Sequence, residues 1–254
     1  MIDLHSHLLP GVDDGARSVE QSVKVLHVMA AQGVTDVVLT PHLEASRLLE
    51  GPPPEHDEAF AALSQAAPPG IRLHRGAEVM LDRAITPRAA ATRRVTLGGS
   101  RYLLVEFTRM VAARSAAAAL HQVVQSGLVP LLAHPERYQA TTPAVVIQWR
   151  NLGALMQVDA TTLLAASGRG ERARALLAAG LIDVMAADNH GDHRSLAEAA
   201  TRLTEAGGGD VVEMLTDLNP KAILADDELR PAGSFTFKVP LLKRLKGWFG
   251  EGSR

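Results

Sequence analysis

The stretch from Met1 to Ala16 reads MIDLHSHLLPGVDDGA, and it places two histidines one residue apart at the end of a β-rich run. On an extended segment side chains alternate between two faces, so His5 and His7 point the same way. Two imidazoles on one face can bind the same metal ion. The pair equally fits one buried, hydrogen-bonded histidine beside a solvent-exposed one, because imidazole is a common metal ligand only in company. A metal-binding role for this pair therefore requires further ligands elsewhere in the chain.

Six more β-rich runs follow along the chain, separated by Ala- and Leu-rich stretches with helical spacing. Such alternation predicts parallel strands joined by crossover helices. One predicted helix begins at the capping box Ser18-x-x-Gln21 and ends near Gly33. We therefore predict a closed α/β domain of about seven strands. The six runs are TDVVLTPH (35–42), IRLHRGAEV (71–79), RYLLVEF (101–107), VPLLAHPER (129–137), LMQVDA (155–160) and IDVMAADNH (182–190).

Side chains that can bind metal stand at the end of nearly every predicted strand. The C-terminal ends of the strands of a parallel barrel converge on one mouth, so these groups are expected to meet. Several carboxylates packed together repel one another unless cations bind between them. Taken singly, each residue better fits an ordinary strand-end polar group that is solvated or caps a helix; together they predict a metal centre. The predicted ligands are His5, His7, His42, Glu78, Glu106, His134, Asp188 and His190.

The composition narrows the chemistry. The 254 residues include no cysteine, which excludes disulfides, thiolate metal sites and a cysteine nucleophile. Nitrogen and oxygen ligands without sulfur suit Mn, Fe, Zn or Mg. The formal net charge of −2 gives no bulk field that would recruit nucleic acid, so no nucleic-acid partner is expected. Because the sequence shows no secretory leader and no long uncharged apolar run, we expect a cytoplasmic protein.

The motifs MIDLHSHLLPGVDDGA, TPH, GAEV, VEF, AHPER and ADNH, in this order, resemble the PHP (polymerase and histidinol phosphatase) superfamily. LPGVDDG and HPER resemble one branch of it, the bacterial capsular-polysaccharide-type protein tyrosine phosphatases. The resemblance covers about residues 1–220. It implies a single distorted (β/α)7 TIM-like barrel over residues 1–239, with the metal site at the C-terminal ends of the strands. It also implies metal-dependent hydrolysis of phosphotyrosine on a membrane-anchored bacterial tyrosine kinase that controls capsule or exopolysaccharide synthesis.

The resemblance also implies a role for each site residue. Two or three divalent ions, with Mn as the expected metal and Fe, Zn or Mg as alternatives, would share the ligands. One ion would be held by His5, His7, Glu78 and Asp188; a second by Glu78, Glu106 and His134; and a third by His42, His190 and either Asp13 or Asp14. The sequence does not separate Asp13 from Asp14. Arg137 would bind the substrate phosphate, whereas its ordinary alternative is a surface salt bridge with Glu136.

Two rival functions stay open. One is hydrolysis of a small phosphomonoester, such as histidinol phosphate, by another PHP-type enzyme. The other is a noncatalytic, metal-bound regulatory protein. The chain also departs from its branch at the last predicted strand, where Asp-Ala-His-Asn is usual and this sequence has Asp188-Asn189-His190-Gly191. The spacing between the predicted ligands Asp188 and His190 is the same as in the branch, but we expect the loop that follows to contact the substrate differently.

The C-terminal segment 240–254 contains PLLKRLKGWFGEGSR, a basic amphipathic pattern. Its apolar residues recur at helical spacing, and Lys and Arg occupy the positions between them. Such a helix can dock on the outside of the barrel as a closing element. It can also make weak, salt-sensitive contact with an anionic membrane surface. The apolar residues are Leu241, Leu242, Leu245, Trp248 and Phe249.

Overall fold

The computed structural model describes residues 1–85 and 93–238, and every strand pair in this part of the chain is parallel. The fold is therefore α/β, as predicted. The predicted tail at 240–254 lies outside the described residues. The strands are β1 (Ile2–Ser6), β2 (Asp36–Leu39), β3 (His42–Glu44), β4 (Arg72–Arg75), β5 (Glu78–Met80), β6 (Tyr102–Glu106), β7 (Val129–Ala133), β8 (Leu155–Asp159) and β9 (Val184–Ala186).

Two of the predicted strands are interrupted. The run at 35–42 forms β2 and β3, and the run at 71–79 forms β4 and β5. Pro41 lies at the first break and has no N–H to donate to a neighbouring strand. At the second break, the backbone N–H of Gly76 still donates to Leu39 O at 3.0 Å, and that of Glu78 to Pro41 O at 3.1 Å. The paired breaks divide the strands into two sheets.

The two sheets have the orders β1-β2-β4 and β3-β5-β6-β7-β8-β9. They approach each other where the first and last strands end, through a single parallel bridge between Ser6 and Asn189. The backbone N–H of His7 donates to Asn189 O at 2.7 Å, and that of Asp188 donates to His5 O at 3.0 Å. These bonds place the end of β1 beside the segment that follows β9.

Helices connect most of the strands and further helices follow β9, and the first helix agrees with its predicted bounds to within two residues at each end. Ser18 caps the first helix by accepting from the Gln21 N–H, as predicted. Gln21 departs from the capping box, because its Oε1 accepts from the N–H of Arg17 rather than that of Ser18. The α-helices span Val19–Ala31, Pro54–Ala66, Ala113–Gln125, Pro143–Asn151, Ala160–Leu164, Gly168–Ala178, Leu196–Glu205, Gly209–Glu213 and Asn219–Leu224.

Buried aliphatic side chains fill the space between strands and helices. Leu4, Leu104 and Leu131 come from three strands and are fully buried, and Trp149 is fully buried on the helix Pro143–Asn151. Burying each such side chain contributes about 1.5–3 kcal/mol to stability. None of the helices in the described part of the chain combines the length and apolar character needed to cross a membrane. The rigid core fixes the positions of the strand ends, where the polar residues gather.

Candidate metal centre

The two histidines of the opening stretch meet side by side. His5 and His7 are both fully buried, and their Nε2 atoms lie 3.1 Å apart. Gln157 on β8 hydrogen-bonds His5 Nδ1 at 2.9 Å, which leaves Nε2 directed towards the neighbouring carboxylates. Fixing one ring nitrogen selects the orientation of the other, a common arrangement around metal-binding histidines. The predicted common face of the pair is confirmed.

Two buried carboxylates complete a four-residue cluster with this pair. Glu78 begins β5, and Asp188 follows β9. Glu78 Oε2 and Asp188 Oδ1 each lie 3.2–3.3 Å from the Nε2 atoms of both histidines. One ligand atom from each residue falls within 4.8 Å of the others, so a single cation between them can contact all four. This set is the one that the resemblance implies for the first ion.

The electrostatics of the cluster fit a cation. Neither Glu78 Oε2 nor Asp188 Oδ1 accepts a hydrogen bond within the described residues, although both atoms are buried. Burial of an unpartnered charged oxygen is costly. Burial disfavours the imidazolium form of His5, but Glu78 and Asp188 together raise the pKa of His5 to about 9. In protein alone the histidines must therefore carry protons to balance the carboxylates, and a divalent cation can replace those protons.

Two further groups of potential ligands share members with this cluster. His42 Nδ1 lies 3.1 Å from Glu78 Oε2 and 3.1 Å from Glu106 Oε1. Asp14 Oδ1 lies 3.5 Å from the Nε2 atoms of His42 and His190. The structure thus brings together His42, Glu78 and Glu106 in one group and His7, Asp14, His42 and His190 in the other. Shared carboxylate and imidazole ligands are typical of centres that hold more than one ion.

The structure places the two adjacent aspartates differently. Asp13 Oδ2 hydrogen-bonds His7 Nδ1 at 2.9 Å, on the ring edge opposite the cluster. Asp13 also accepts from the backbone N–H groups of Gly15 and His42. Burial opposes ionisation, but the bond to His7 lowers the pKa of Asp13. Asp13 is therefore placed to orient His7, whereas the 71% exposed side chain of Asp14 is the one that faces His42 and His190.

Gly15 allows the loop that carries both aspartates to fold back on β1. A Cβ atom at this position would lie 2.0 Å from the carbonyl oxygen of His7. The next residue, Ala16, donates its N–H to the same oxygen at 2.9 Å. The glycine is thus required by close backbone approach rather than by an unusual φ. It keeps Asp13 within reach of the imidazole of His7.

We predict different outcomes when the two aspartates are changed. Asp14→Ala removes a candidate ligand of the outer group, so the purified protein should hold about one ion fewer per chain. Asp13→Ala leaves every ligand in place but removes the orienting bond to His7, so activity should fall roughly 10–100-fold with a smaller change in metal content. Metal analysis by mass spectrometry, alongside turnover of an aryl phosphate, measures both effects. Equal metal loss in the two variants would contradict this division of roles.

His134 lies beside the cluster rather than with Glu106. Its Nε2 hydrogen-bonds Glu78 Oε1 at 2.8 Å, and its Nδ1 has no hydrogen-bond partner among the described residues. His134 is held in the left-handed region with φ 35°, where β7 turns sharply into Pro135–Arg137. Non-glycine residues are uncommon there and cluster at functional sites. The resemblance pairs Glu106 with His134, whereas in this structure the imidazole nearest Glu106 is that of His42.

Arg137 points towards the cluster and not towards its sequence neighbour. Its Nη2 donates to Asp159 Oδ2 at 2.7 Å and also to Asp188 Oδ2. The carboxylate of Glu136 is buried and accepts from the N–H of Asp159, and burial raises the pKa of Glu136 to about 8. The alternative prediction of a surface salt bridge between Arg137 and Glu136 is therefore wrong. Arg137 instead borders the carboxylate of a predicted metal ligand.

Arg194 is a site residue that the sequence did not single out. Its Nη1 donates to Asp188 O and lies 3.0 Å from Nδ1 of His190. Two arginines, Arg137 and Arg194, therefore contact Asp188. Arg194 was missed because it belongs to the loop after the last strand, where no periodicity marks it. Its signal is an arginine four residues after His190, the last predicted ligand.

The departure at Gly191 has a structural reason in the same loop. Gly191 has φ +76°, and a Cβ atom there would lie 2.5 Å from Nε2 of Gln21. That nitrogen donates to Gly191 O at 2.8 Å, which ties the loop to the first helix. An asparagine at this position would require both the left-handed backbone and a displaced Gln21. The side-chain amide of Gln21 therefore joins two segments: its oxygen accepts from Arg17 just before the first helix, and its nitrogen donates to the loop at Gly191.

Comparison with known proteins places this centre in context. The chain is 29% identical over 241 residues to tyrosine-protein phosphatase CpsB of Streptococcus pneumoniae, covering 89% of this chain and 99% of that protein. It is 26% identical over 226 residues to tyrosine-protein phosphatase YwqE of Bacillus subtilis, covering 85% and 89%. A crystal structure from a study of these two metal-dependent tyrosine phosphatases superposes with a TM-score of 0.76 at 23% identity, covering 94% and 100%. That structural likeness supports the fold.

Another solved structure has a more distant likeness. A mutant organophosphorus hydrolase from Deinococcus radiodurans superposes with a TM-score of 0.55 at 14% identity, which shows resemblance of fold alone. The family assignment comes from a different comparison. The family model described as capsular polysaccharide synthesis, CpsB/CapC, matches residues 1–225. This match spans all nine described strands and every predicted ligand, and it confirms the resemblance seen in the motifs. The chain belongs to the CpsB/CapC family of capsular polysaccharide synthesis proteins.

Proposed function

We propose that this protein is a metal-dependent protein tyrosine phosphatase, a phosphoric monoester hydrolase. The observation that carries the proposal is the buried cluster of His5, His7, Glu78 and Asp188, whose unpartnered carboxylate oxygens call for a cation. The family match, and relatives that are tyrosine-protein phosphatases, support hydrolysis of phosphotyrosine as the reaction. The absence of cysteine agrees, because thiolate phosphatases need a nucleophile that this chain lacks.

The residues present fit two or three divalent ions, and we propose manganese as the metal. The inner ion would be held by the buried cluster. Asp14, His42 and His190 would hold an outer ion. Glu78, Glu106 and His134 would hold a further ion. When bound, the ions supply Lewis acidity that activates a water and neutralises charge on the phosphoryl group.

Arg137 would bind the substrate phosphate. Within the described residues only its Nη2 is used by Asp159 and Asp188, so Nε and Nη1 stay available to donate. The planar guanidinium can grip two phosphate oxygens, a geometry that lysine does not offer. Burial opposes the charge, but Asp188 and Asp159 outweigh it and keep the pKa of Arg137 above its usual range. Arg137 would therefore be a fixed cation at the phosphate.

The shape of the site favours a protein substrate over a small ester. Asp14 is 71% exposed and His42 is 38% exposed, so the outer ligands lie at an open mouth. A phosphotyrosine can reach such a mouth from a peptide. Its phenolate leaving group, with a parent pKa of about 10, also needs less protonation than a serine alkoxide. We propose that the substrate is the phosphorylated tail of a membrane-anchored tyrosine kinase that acts in capsule or exopolysaccharide synthesis.

Two further parts of the proposal concern fold and location. We infer that β2 with β3, and β4 with β5, act as two interrupted strands of one seven-stranded barrel, which the Ser6–Asn189 bridge closes. We also propose that the protein acts in the cytoplasm, where a kinase tail is accessible. Contact of the segment 240–254 with an anionic membrane stays a prediction.

A substrate panel tests the activity. We expect the metal-loaded protein to hydrolyse a phosphotyrosine peptide at least roughly 100-fold more efficiently, in kcat/KM, than the matched phosphoserine peptide or histidinol phosphate. The reason is the better phenolate leaving group together with the open mouth. Release of inorganic phosphate measures all three substrates. Preference for histidinol phosphate would favour the small-ester enzyme, and no turnover with full metal content would favour the noncatalytic regulator.

A further inference from the structure

Three arginines outside the metal centre lie near the turn Pro135–Arg137. We call Arg109, Arg169 and Arg172 the arginine rim. Arg109 follows β6 in the loop after Glu106, and its carbonyl oxygen accepts from the N–H of Gln139 at 3.0 Å. That bond fixes the loop beside the end of the turn. The rim therefore begins next to a predicted metal ligand.

The other two arginines come from the helix Gly168–Ala178. Arg172 Nε donates to Glu136 O at 2.9 Å, which docks this helix on the same turn. Arg169 is three residues earlier, so it lies on the same helix face as Arg172. Loops that follow the C-terminal ends of parallel strands open at the mouth of the fold. The loop that carries Arg109 and the helix that carries Arg169 and Arg172 therefore both lie at the mouth of the fold, near Arg137.

Few carboxylates balance these charges. Within residues 1–85 and 93–238, neither Arg109 nor Arg169 forms an ion pair, and Arg172 bonds only a backbone oxygen. Burial and the positive charges of Arg109, Arg137 and Arg172 together lower the pKa of Arg169, as expected for crowded like charges. The carboxylate of Glu136 in this turn is buried, and Glu171 is the exposed acid of the helix turn. The positive charge is local, because the whole chain has a net charge of −2.

Repulsion between crowded arginines without acidic partners raises the free energy of the protein, and a bound anion would lower it. We propose that the arginine rim binds acidic side chains that flank the phosphotyrosine, and so selects acidic phosphopeptides. The inference rests on the proposed phosphatase function and names the substrate class of the same site. Arg109 and Arg169 interact electrostatically with each other, and Arg169 also with Arg137, so residues of a peptide that flank a phosphate at Arg137 would come near them. Guanidinium groups there can pair with glutamate or aspartate of that peptide.

The test compares two phosphotyrosine peptides that differ only in flanking Glu or Gln residues. Wild-type protein should prefer the Glu peptide roughly tenfold in KM, since each exposed charge pair adds a few-fold. The double variant Arg109→Gln, Arg169→Gln should lose most of this preference. Raising NaCl from about 50 to about 500 mM should reduce the preference in the same way, because exposed charges are screened.

Controls separate the possible outcomes. Arg202→Gln, an exposed arginine in the last turn of the helix after β9, should keep the full preference for the Glu peptide. The charge-reversed variant Arg109→Glu, Arg169→Glu should instead favour a Lys-flanked peptide, and thermal melting checks that both double variants are folded. An equal loss on Glu and Gln peptides would overturn the rim as an acidic subsite. No turnover of any phosphotyrosine peptide by wild-type protein would instead overturn the proposed function itself.

Discussion

Replacing Glu78 with alanine is expected to lower turnover of phosphotyrosine by roughly 1,000-fold or more, because the change removes a ligand shared by two ligand groups. Glu78 Oε2 lies within 3.3 Å of His5, His7 and His42, and its other oxygen bonds His134. No other carboxylate in the described part of the chain contacts all of these rings. The single substitution therefore opens the centre of the ligand cluster.

Metal content and activity should fall together in this variant. Glu78→Gln, which keeps the side-chain shape, should also fail, because a neutral amide neither bridges two ions nor balances the imidazoles. His27→Ala is the matched control: His27 is exposed on the helix Val19–Ala31, and activity should stay within about twofold of the parent, as for most surface changes. If Glu78→Gln kept both metal and activity, the shared-ligand role would be wrong.

Removing metal should have an equally large effect. Treatment with a chelator is expected to abolish phosphatase activity, and addition of Mn²⁺ should restore it, because the chain itself carries no cysteine nucleophile. Metal should also stabilise the fold by binding the native cluster, by about 2.7 kcal/mol at a free concentration 100 times the dissociation constant. Thermal melting with and without Mn²⁺ measures this second effect independently of activity.

The control for reloading is the His5→Ala variant. It should regain neither activity nor the thermal shift on addition of Mn²⁺, because one ligand of the buried cluster is missing. Reloading with Zn²⁺, Fe²⁺ and Mg²⁺ in parallel ranks the alternatives to manganese. Full turnover by a sample whose metal content has been measured as negligible would contradict metal-dependent hydrolysis.

The sequence was sufficient to predict that these candidate ligands meet, because their positions follow a one-dimensional rule. Each stands at or near the end of a β-rich run, and parallel strands bring their C-terminal ends to one mouth. The broken strands were harder to foresee. Pro41 removes one backbone donor, but whether a strand continues beyond such a residue depends on the neighbouring strand, which the sequence does not display.

The partners of individual side chains also depend on three-dimensional packing. Asp13 and Asp14 are adjacent and chemically identical, and only the tight loop at Gly15 turns one towards His7 and the other outwards. Arg137 was expected at the substrate phosphate, but nothing in the sequence indicated that its side chain also contacts Asp159 and Asp188. Such choices depend on distances of a few ångströms between segments that are far apart in sequence.

The contact between Ser6 and Asn189 has a consequence for how the protein is made. It joins the first strand to the segment after the last one, so the buried cluster takes two ligands from the start of the chain and one from near residue 190. During synthesis on the ribosome, His5 and His7 emerge long before Asp188 does. The complete four-ligand cluster cannot form on a nascent chain that ends before β9. We therefore expect the proposed inner ion to gain its full set of ligands only after the segment that follows β9 has been made and the two sheets have met there.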